Sequence, residues 1–331
     1  MFLKKIKNIT IAVFLTLYII PLTVQAYSEY LIPGGENIGI QINSRGIIVV
    51  GLYKVDNKFP GKDAGIKNGD IIVSINNKKV SNISEMVQEI NTSKNKDYIN
   101  VGYERNKKIH NTTLKLEKGN DNILKTGLYV KDTINGIGTL TYIDPKTNIY
   151  GALGHEIMEK STGKKVEIKG GKIFKSTITG VIRSVRGRPG EKNATFYSDY
   201  IYGTINKNTP QGIFGKYTKE TPDKKVYKVG EPTDIELGNA TIMTVLKDEK
   251  VGEYDIEIIR INNNDSKTKN ILFNIIDENL LEQTGGVVQG MSGSPIIQND
   301  MIIGAVTHVI VENTTRGYGI FITNMLEMAE N

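Results

Sequence analysis

The sequence predicts a mainly β protein, in which an N-terminal apolar segment is followed by two folded domains. The length of 331 residues is enough for about two domains after such a segment. From residue 136 to residue 185, runs rich in Thr, Ile and Val alternate with turn-forming residues, which is typical of β-strands. No amphipathic pattern of more than about three helical turns occurs between residues 155 and 292, so the second domain is expected to be all-β.

The first element, at the N-terminus, is predicted to direct export of the chain. Three lysines within the first seven residues precede an apolar run of 14 residues, Ile9 to Leu22. That length is typical of a signal peptide. A membrane-spanning helix needs about 20 residues, a length that the segment approaches only when it is counted to Ala26. Residues 1–26 are therefore predicted to be either a signal peptide, cleaved after Ala26, or a membrane anchor, and the sequence leaves both open.

The second element, residues 36–118, carries a compact signature between Ala64 and Val80. It consists of a short helix that ends at a glycine, an apolar strand, and a hairpin at Asn76-Asn77. This signature resembles the PDZ domains of bacterial proteases. PDZ domains bind a peptide as an added strand at a sheet edge, while backbone N–H groups hold its terminal carboxylate.

The resemblance to PDZ domains also indicates where a peptide is expected to bind. The candidate carboxylate-binding loop contains Ile38, Gly39 and Ile40. On the helix after Ser84, Val87 and its apolar neighbours are expected to line the peptide pocket. The alternative is that these helix residues belong to the core face of an amphipathic helix. A polar linker after residue 117 separates this domain from the last one, which is predicted to cover residues 123–331.

The last domain contains a serine in a glycine-rich turn, within the segment Gly290 to Asn299. Glycines at 290 and 293 allow a tight turn that directs two backbone N–H groups inward, and Pro295 stiffens its exit. Ser292 is therefore predicted to be a nucleophile, with an oxyanion hole formed at Gly290 and Ser292. The alternative is an ordinary turn between two strands.

A serine nucleophile needs a base, and the chain has only three histidines. His155 lies among small residues, as Ser292 does, and is predicted to be the base. His308 follows an apolar strand and fits a hydrogen-bonded wall position better. His110 belongs to the preceding domain.

The order of these residues along the chain favours one class of serine peptidase. His155 precedes Ser292, as in chymotrypsin-like double-barrel proteases and unlike subtilisins or α/β-hydrolases. The acid that would orient the histidine is left open by the residues themselves. Asp277 lies before a short helix that ends at Gly285 and is as well explained as a helix N-cap. Asp199 and Asp234 also lie between the histidine and the serine.

Four stretches of the sequence resemble the peptidases typified by stage IV sporulation protein B. They are Ile32–Gly35, Tyr150–His155, Thr284–Gln298 and Gly304–Val309. The motifs are long, and the resemblance extends over nearly the whole chain from about residue 28. It implies a chymotrypsin-like fold, with Ser292 as nucleophile, His155 as base and Asp277 as the matching acid.

The resemblance also implies a role in the signal between the compartments of a developing endospore. A protease of this type is secreted across the inner forespore membrane and cleaves itself. It then cuts a regulator of an intramembrane metalloprotease, which activates a late sigma factor. We therefore expect an exported, membrane-associated serine endopeptidase in the space between the forespore and mother-cell membranes. Its expected partners are protein substrates including itself, that membrane regulator, and the membrane through the N-terminal segment.

Other chemistry is not indicated by the sequence. The chain has no cysteine, which excludes disulfides, thiolate metal sites and a thiol nucleophile. His155-Glu156 begins like a zinc motif, but position 159 is glutamate, and the glycine-rich stretches lack the spacing of nucleotide-binding loops. No metal or cofactor is predicted. The formal net charge of +6 is spread without interleaved aromatic residues, so no nucleic-acid partner is predicted either.

Two other functions remain as alternatives. In one, the chain is a catalytically idle envelope adaptor whose PDZ domain carries the function. In the other, it is a stress protease of the high-temperature-requirement kind. That kind fits less well, because its PDZ domain follows the protease domain, whereas here the PDZ domain comes first.

Overall fold

The computed structural model describes residues 28–93, 97–119, 121, 123–263 and 267–330. The predicted signal or anchor segment, residues 1–26, lies outside the described residues. Within the described ranges, no helix is both long and apolar enough to cross a membrane.

The described chain is built mainly from strands. In chain order they are β1 (Tyr30–Pro33), β2 (Asn37–Leu52), β3 (Ile71–Ile75), β4 (Lys78–Lys79), β5 (Tyr98–Arg105), β6 (Lys108–Lys115), β7 (Glu117–Lys118), β8 (Leu124–Lys125), β9 (Leu128–Ile143), β10 (Ile149–Ala152), β11 (Met158–Glu159), β12 (Lys164–Lys165), β13 (Ile168–Ile182), β14 (Glu191–Ile205), β15 (Lys207–Thr209), β16 (Gly212–Lys216), β17 (Tyr227–Val229), β18 (Gly238–Val245), β19 (Val251–Ile261), β20 (Ile271–Ile275), β21 (Pro295–Gln298), β22 (Met301–Val309) and β23 (Arg316–Phe321). The helices are α1 (Pro60–Asp63), α2 (Ile83–Asn91), α3 (Glu278–Thr284) and α4 (Ile322–Glu330), with a 3-10 turn at Pro232–Asp234.

The first barrel closes through β2, β9, β10, β16, β14 and β13. Along β2, Ile38, Ile40 and Ile42 are buried at every second position. Because alternate residues of a strand point to the same face, the three isoleucines share one face of β2. The buried isoleucines meet side chains from β9, β10 and β13 in one apolar cluster, which fills the barrel.

The second barrel closes in the order β18, β19, β20, β23, β22, β21 and back to β18. Its interior is a separate apolar cluster that includes Phe273, Met291 and Ile296. Strand β1 pairs with β9 of the first barrel and with β17, which in turn pairs with β22 of the second barrel. The expected mainly β architecture with a double-barrel protease domain is therefore confirmed.

The PDZ domain has its own apolar core, separate from those of the two barrels. Strand β3 pairs with β2, β4 and β5, and helix α2 packs its buried Met86 against this sheet. The predicted hairpin is confirmed, since Asn76 and Asn77 both have positive φ and connect β3 to β4. Two consecutive positive φ values match the twist of the strands that a two-residue turn joins.

The PDZ domain and the first barrel share strands. The first half of β2, residues 37–43, pairs with β9 on one edge and with β13 on the other. Its second half pairs with β3 of the PDZ sheet at Ile47 and Ile48, and with the start of β9. The chain therefore passes between the two domains within one long strand, and not through a flexible linker at this point.

This pairing corrects the predicted carboxylate-binding loop. Ile38, Gly39 and Ile40 lie in a strand whose two edges are both occupied, so no edge remains there for an added peptide. Gly39 is covered by the ring of Phe174, which an added Cβ would approach to 2.1 Å. The prediction was wrong because the chain's own strands occupy the positions that a peptide ligand would take.

Candidate active site

A cleft of about 950 Å³ lies where the two barrels meet, and it brings the predicted nucleophile and base together. His155 reaches the cleft from the turn after β10 of the first barrel, and Ser292 from the turn before β21 of the second. His308, on β22, lines the same cleft. His155 and Ser292, which are 137 positions apart in the sequence, thus line the same cleft. They meet there because His155 follows a strand, and Ser292 precedes one, at the junction of the barrels.

The serine turn has the conformation that its glycines predict. Gly290 and Gly293 have φ values of 98° and 94°, in the region that side chains rarely adopt. A Cβ at Gly293 would also lie 2.1 Å from the carbonyl oxygen of Thr139 and 2.5 Å from the amide of Leu153. Only glycine lets the serine turn pack this closely on the histidine turn.

Two threonines of β9 hold the serine turn by its carbonyl groups. The Thr139 hydroxyl donates to the Gly290 carbonyl at 2.7 Å, and the Thr139 amide donates to the Ser292 carbonyl at 2.9 Å. The Thr141 hydroxyl donates to the Gly293 carbonyl at 2.8 Å. With these carbonyls fixed toward the first barrel, the amides of Gly290 and Ser292 are left available. Over the described part of the chain, neither amide donates to another backbone carbonyl.

The two serines of the turn differ in accessibility. Ser292 is half-buried at the cleft, and its hydroxyl donates to the Thr307 carbonyl at 2.9 Å. Ser294 is 0% exposed, and its hydroxyl oxygen has no hydrogen-bond partner. Of the two hydroxyls, the one at Ser292 is therefore placed to meet a substrate.

His155 is oriented by the backbone and not by a carboxylate. Its Nδ1 lies 2.9 Å from the carbonyl oxygen of Glu156, an acceptor that requires Nδ1 to carry the proton. Nε2 is then the unprotonated nitrogen, as a base requires. Burial lowers the pKa of His155 below its usual 6.5, against the raising effects of the Glu156 carbonyl and carboxylate. The imidazole is therefore neutral at neutral pH.

His308 is a second histidine of the cleft. Its ring centroid lies 5.3 Å from that of His155, with the two planes tilted by 45°. Burial, with contributions from His155 and Lys269, lowers the pKa of His308 to about 4. His308 therefore lies on a strand at the cleft wall, as expected. Its described side-chain contact is with the ring of His155 and is not the expected hydrogen bond. His110 lies on β6 of the PDZ domain, stacked on Tyr103.

Asp277 is not brought to His155 in this structure. It is the N-cap of α3, and its carboxylate accepts the amide of Leu280 at 2.7 Å. Among the described contacts, none joins it to the histidine. The helix ends at Gly285 in the left-handed conformation, as the capping alternative predicted. Asp199 is exposed on β14, and Asp234 closes the 3-10 turn, so neither competitor lines the cleft.

Sequence reasoning missed the residues that hold the site. Thr139 and Thr141 looked like ordinary strand residues, and only their spacing of two, on one face of β9, could have linked them to a common partner. The Glu156 carbonyl carries no side-chain signal. Val87, predicted to line a peptide pocket, is 47% exposed on α2 and is not among the residues that line this cleft.

One edge of β9 is open along the cleft. On its other edge, the Leu140 amide donates to the Glu36 carbonyl, and the paired register continues without a shift to Thr133. Because hydrogen-bonded and non-bonded pairs alternate in an antiparallel ladder, the amides and carbonyls of Thr133, Asn135 and Ile137 point away from β2. The Thr139 amide, which is bonded to Ser292, is the next in this outward series. In the described chain no strand pairs with this edge between residues 133 and 137, and those residues line the cleft.

Two family models match the two domains of this architecture. The model of the SpoIVB peptidase S55 family matches residues 122–326, and the PDZ domain model matches residues 36–116. The crystal structure of the PDZ domain of the SdrC-like protein from Listeria monocytogenes is 21% identical to this chain. That match covers 28% of this chain and 93% of the Listeria chain, with a TM-score of 0.23. No curated protein gives a significant match.

Proposed function

We propose a reaction and a substrate geometry for this chain, which belongs to the SpoIVB peptidase S55 family and is a serine peptidase with a PDZ domain. Ser292 is the nucleophile and His155 the general base. The observation that carries the assignment is their convergence from two barrels on one cleft, beside two unengaged amides. Acyl transfer by serine uses a serine and a histidine that meet at one site with backbone amides beside them, and this convergence supports the proposal.

The proposed reaction begins when the Ser292 hydroxyl turns from the Thr307 carbonyl to Nε2 of His155. The oxygen attacks the scissile carbonyl carbon while Nε2 takes the proton. The carbonyl oxygen becomes an oxyanion, which accepts hydrogen bonds from the amides of Gly290 and Ser292. The C–N bond then breaks, and the imidazolium gives its proton to the leaving amine. A water molecule, deprotonated by His155, hydrolyses the acyl-enzyme and restores the serine.

The proposed substrate is an extended peptide segment that pairs with the open edge of β9. The outward amides and carbonyls of Asn135 and Ile137 continue, away from Ser292, the row that begins at the bond between Thr139 and Ser292. A substrate strand added there satisfies backbone groups that otherwise face the cleft, and it leads its own backbone to the nucleophile. In this mode of binding, the enzyme recognises the substrate through hydrogen bonds to its main chain. It therefore suits protein substrates in extended conformation.

Family membership supports the wider role that the sequence motifs imply. The proposed enzyme cleaves itself in the segment between residues 25 and 36, and then cleaves a membrane regulator of an intramembrane metalloprotease during endospore formation. It is exported and acts between the forespore and mother-cell membranes, attached through its N-terminal segment. A protease tethered near its own N-terminal segment meets that segment at high effective concentration, which favours self-cleavage.

The adaptor alternative is less well supported by the fold. An adaptor of this kind needs a free peptide-binding edge, and both edges of the strand that contains Ile38 to Ile40 are occupied.

A time course of self-processing tests the proposed function. The full-length protein and its Ser292→Ala variant are produced in parallel, and fragments are identified by N-terminal sequencing and intact mass. The proposal predicts fragments that begin between residues 25 and 36 for the active protein and none for Ser292→Ala. Addition of active protein to the Ser292→Ala chain should restore the same cleavage. Equal fragmentation of the two proteins, with no added enzyme, would contradict it.

A further inference from the structure

Lys192 is a buried lysine at the junction of the two barrels. It lies at the start of β14, and its side chain belongs to a residue that is only 4% exposed. Its ammonium nitrogen donates to the Asn37 side-chain oxygen of the first barrel at 2.9 Å and to the Thr244 hydroxyl oxygen of the second at 2.8 Å. One side chain thus links β2 to β18 at the wall of the cleft, which Lys192 lines.

The same lysine supports the serine turn. Its backbone amide donates to the Gln289 carbonyl at 2.9 Å. Its Cβ, Cγ and Cδ lie 3.1 to 3.3 Å from the position that a Cβ on Gly290 would take. The aliphatic stem therefore packs against the Cα of Gly290, whose amide is one of the two proposed oxyanion donors, and Nζ lies two bonds beyond Cδ.

The positive charge of Lys192 has no partner of opposite sign among the described ion pairs. Asn37 and Thr244 offer neutral oxygens. Of the acids next to its contacts, Glu36 pairs with Lys224, and the neighbouring Glu191 on β14 is exposed. Burial alone lowers the pKa of Lys192 to about 7. A buried ammonium group without a counter-ion lowers the stability of the folded state. A negative charge that forms near it stabilises the charged form of the lysine.

We infer that Lys192 is a positioning residue of the oxyanion hole, which fixes Gly290 through its stem and places a positive charge behind the donor amides. The inference rests on the proposed function. When Ser292 attacks a peptide carbonyl, a negatively charged oxygen forms beside those amides. In the resting protein, the buried ammonium has no such anion among the described ion pairs. The interaction is stronger in the transition state than with free enzyme, which is the condition for faster chemistry.

A bell-shaped pH dependence follows from the signs of the two pKa shifts. The base must be neutral, so the rate rises with pH through the lowered pKa of His155, below 6.5. Lys192 must be protonated, so the rate falls as pH increases through about 7, where the ammonium becomes an amine. The descending limb belongs to Lys192 and should disappear when the lysine is removed.

The experiment measures the rate of fluorophosphonate labelling, and kcat and KM on a cleaved peptide, across pH 5 to 9. Four full-length proteins are compared: wild type, Lys192→Met, Thr244→Val and the control Lys207→Met. Lys207 is a partly buried lysine bound to the carbonyls of Met328 and Ala329, and it does not line the cleft. Thermal melting monitors folding.

For Lys192→Met we expect labelling and kcat to fall about 10- to 100-fold at pH 6.5, in the range of a weakened oxyanion hole, while KM changes little. Its descending limb should be absent. Thr244→Val keeps the lysine but removes one acceptor of its ammonium, so its descending limb should move to lower pH. Lys207→Met should retain the wild-type profile.

Two results would overturn the inference. One is a Lys192→Met protein with the wild-type rate and the wild-type descending limb. The other, which decides the matter if Lys192→Met does not fold, is a Thr244→Val protein whose descending limb has not moved. If wild type itself is not labelled, the proposed function fails, whereas labelled wild type with an equally reactive Lys192→Met removes only the role of Lys192.

Discussion

The serine turn and the first half of β2 were both predicted as binding sites from short glycine-containing motifs. In the described part of the fold, the serine turn keeps two backbone amides unpaired, whereas the first half of β2 is paired on both edges. At the serine turn, the carbonyls are bound by Thr139 and Thr141, while the amides of Gly290 and Ser292 remain available. At residues 37–43, both edges of the strand are paired by β9 and β13.

The difference shows that a motif determines local backbone conformation but not whether its polar groups are free. That is decided by which strands the topology places alongside. In this protein, the unpaired backbone therefore lies at the cleft, along β9, whereas the backbone of residues 37–43 is paired on both sides.

The largest effect is expected from the base. His155→Ala should reduce peptide cleavage by at least about 10⁴-fold, because the serine is not activated without it. The double variant with Ser292→Ala should be no worse than either single variant, since the two residues act as one unit. His308→Ala is the matched control and should keep clear activity per folded molecule. An inactive but folded His308→Ala, beside an active His155→Ala, would reverse the assignment of the base.

The next effect concerns the open edge of β9. The Asn135 amide points toward the cleft, so Asn135→Pro removes a donor to substrate and leaves the ladder with β2 intact. We expect KM to rise about 10-fold with little change in melting temperature, as for one or two lost hydrogen bonds. Ile134→Pro is the matched control, because its amide faces β2, and it should destabilise the fold. An unchanged KM in a folded Asn135→Pro protein would exclude pairing at this position.

A smaller effect is expected at Asp277. Because the carboxylate caps α3 and His155 is held by the Glu156 carbonyl, Asp277→Asn should keep kcat within a few-fold of wild type. Asparagine caps helices about as well as aspartate, whereas Asp277→Ala should lower the free energy of unfolding by about 1 kcal/mol. Chemical denaturation and peptide kinetics measure both. A loss of rate of about 10³-fold or more in folded Asp277→Asn would show that the carboxylate acts on the histidine during the reaction.

The smallest effect is expected on the PDZ helix. Val87 is 47% exposed, and the strand that contains the predicted carboxylate-binding loop is paired on both edges by the chain itself. Val87→Asp should therefore alter neither melting temperature nor the time course of self-cleavage. The matched change on the buried face, Met86→Asp, should unfold the domain, since it places a charge in the core. Altered cleavage timing in Val87→Asp would indicate that a peptide does bind at this helix.

The mainly β fold, the PDZ signature and the serine and histidine of the cleft could all be predicted because each leaves a local pattern. The Asn76-Asn77 hairpin, the α3 cap at Asp277 and the glycines of the serine turn depend on conformations that only a few residue types adopt. Contacts between residues that are distant in the sequence leave no such local pattern. The support of the serine turn by Thr139 and Lys192, and the double pairing of residues 37–43, depend on segments 90 or more residues apart being adjacent.

The most direct test of the central claim is to locate the reactive serine by fluorophosphonate labelling and peptide mass mapping of the folded full-length protein. We expect a single adduct on Ser292, which is absent in Ser292→Ala, forms much more slowly in His155→Ala and is unchanged in Ser294→Ala. Labelling on Ser294, or equal labelling of native and unfolded protein, would contradict the claim that this cleft activates Ser292.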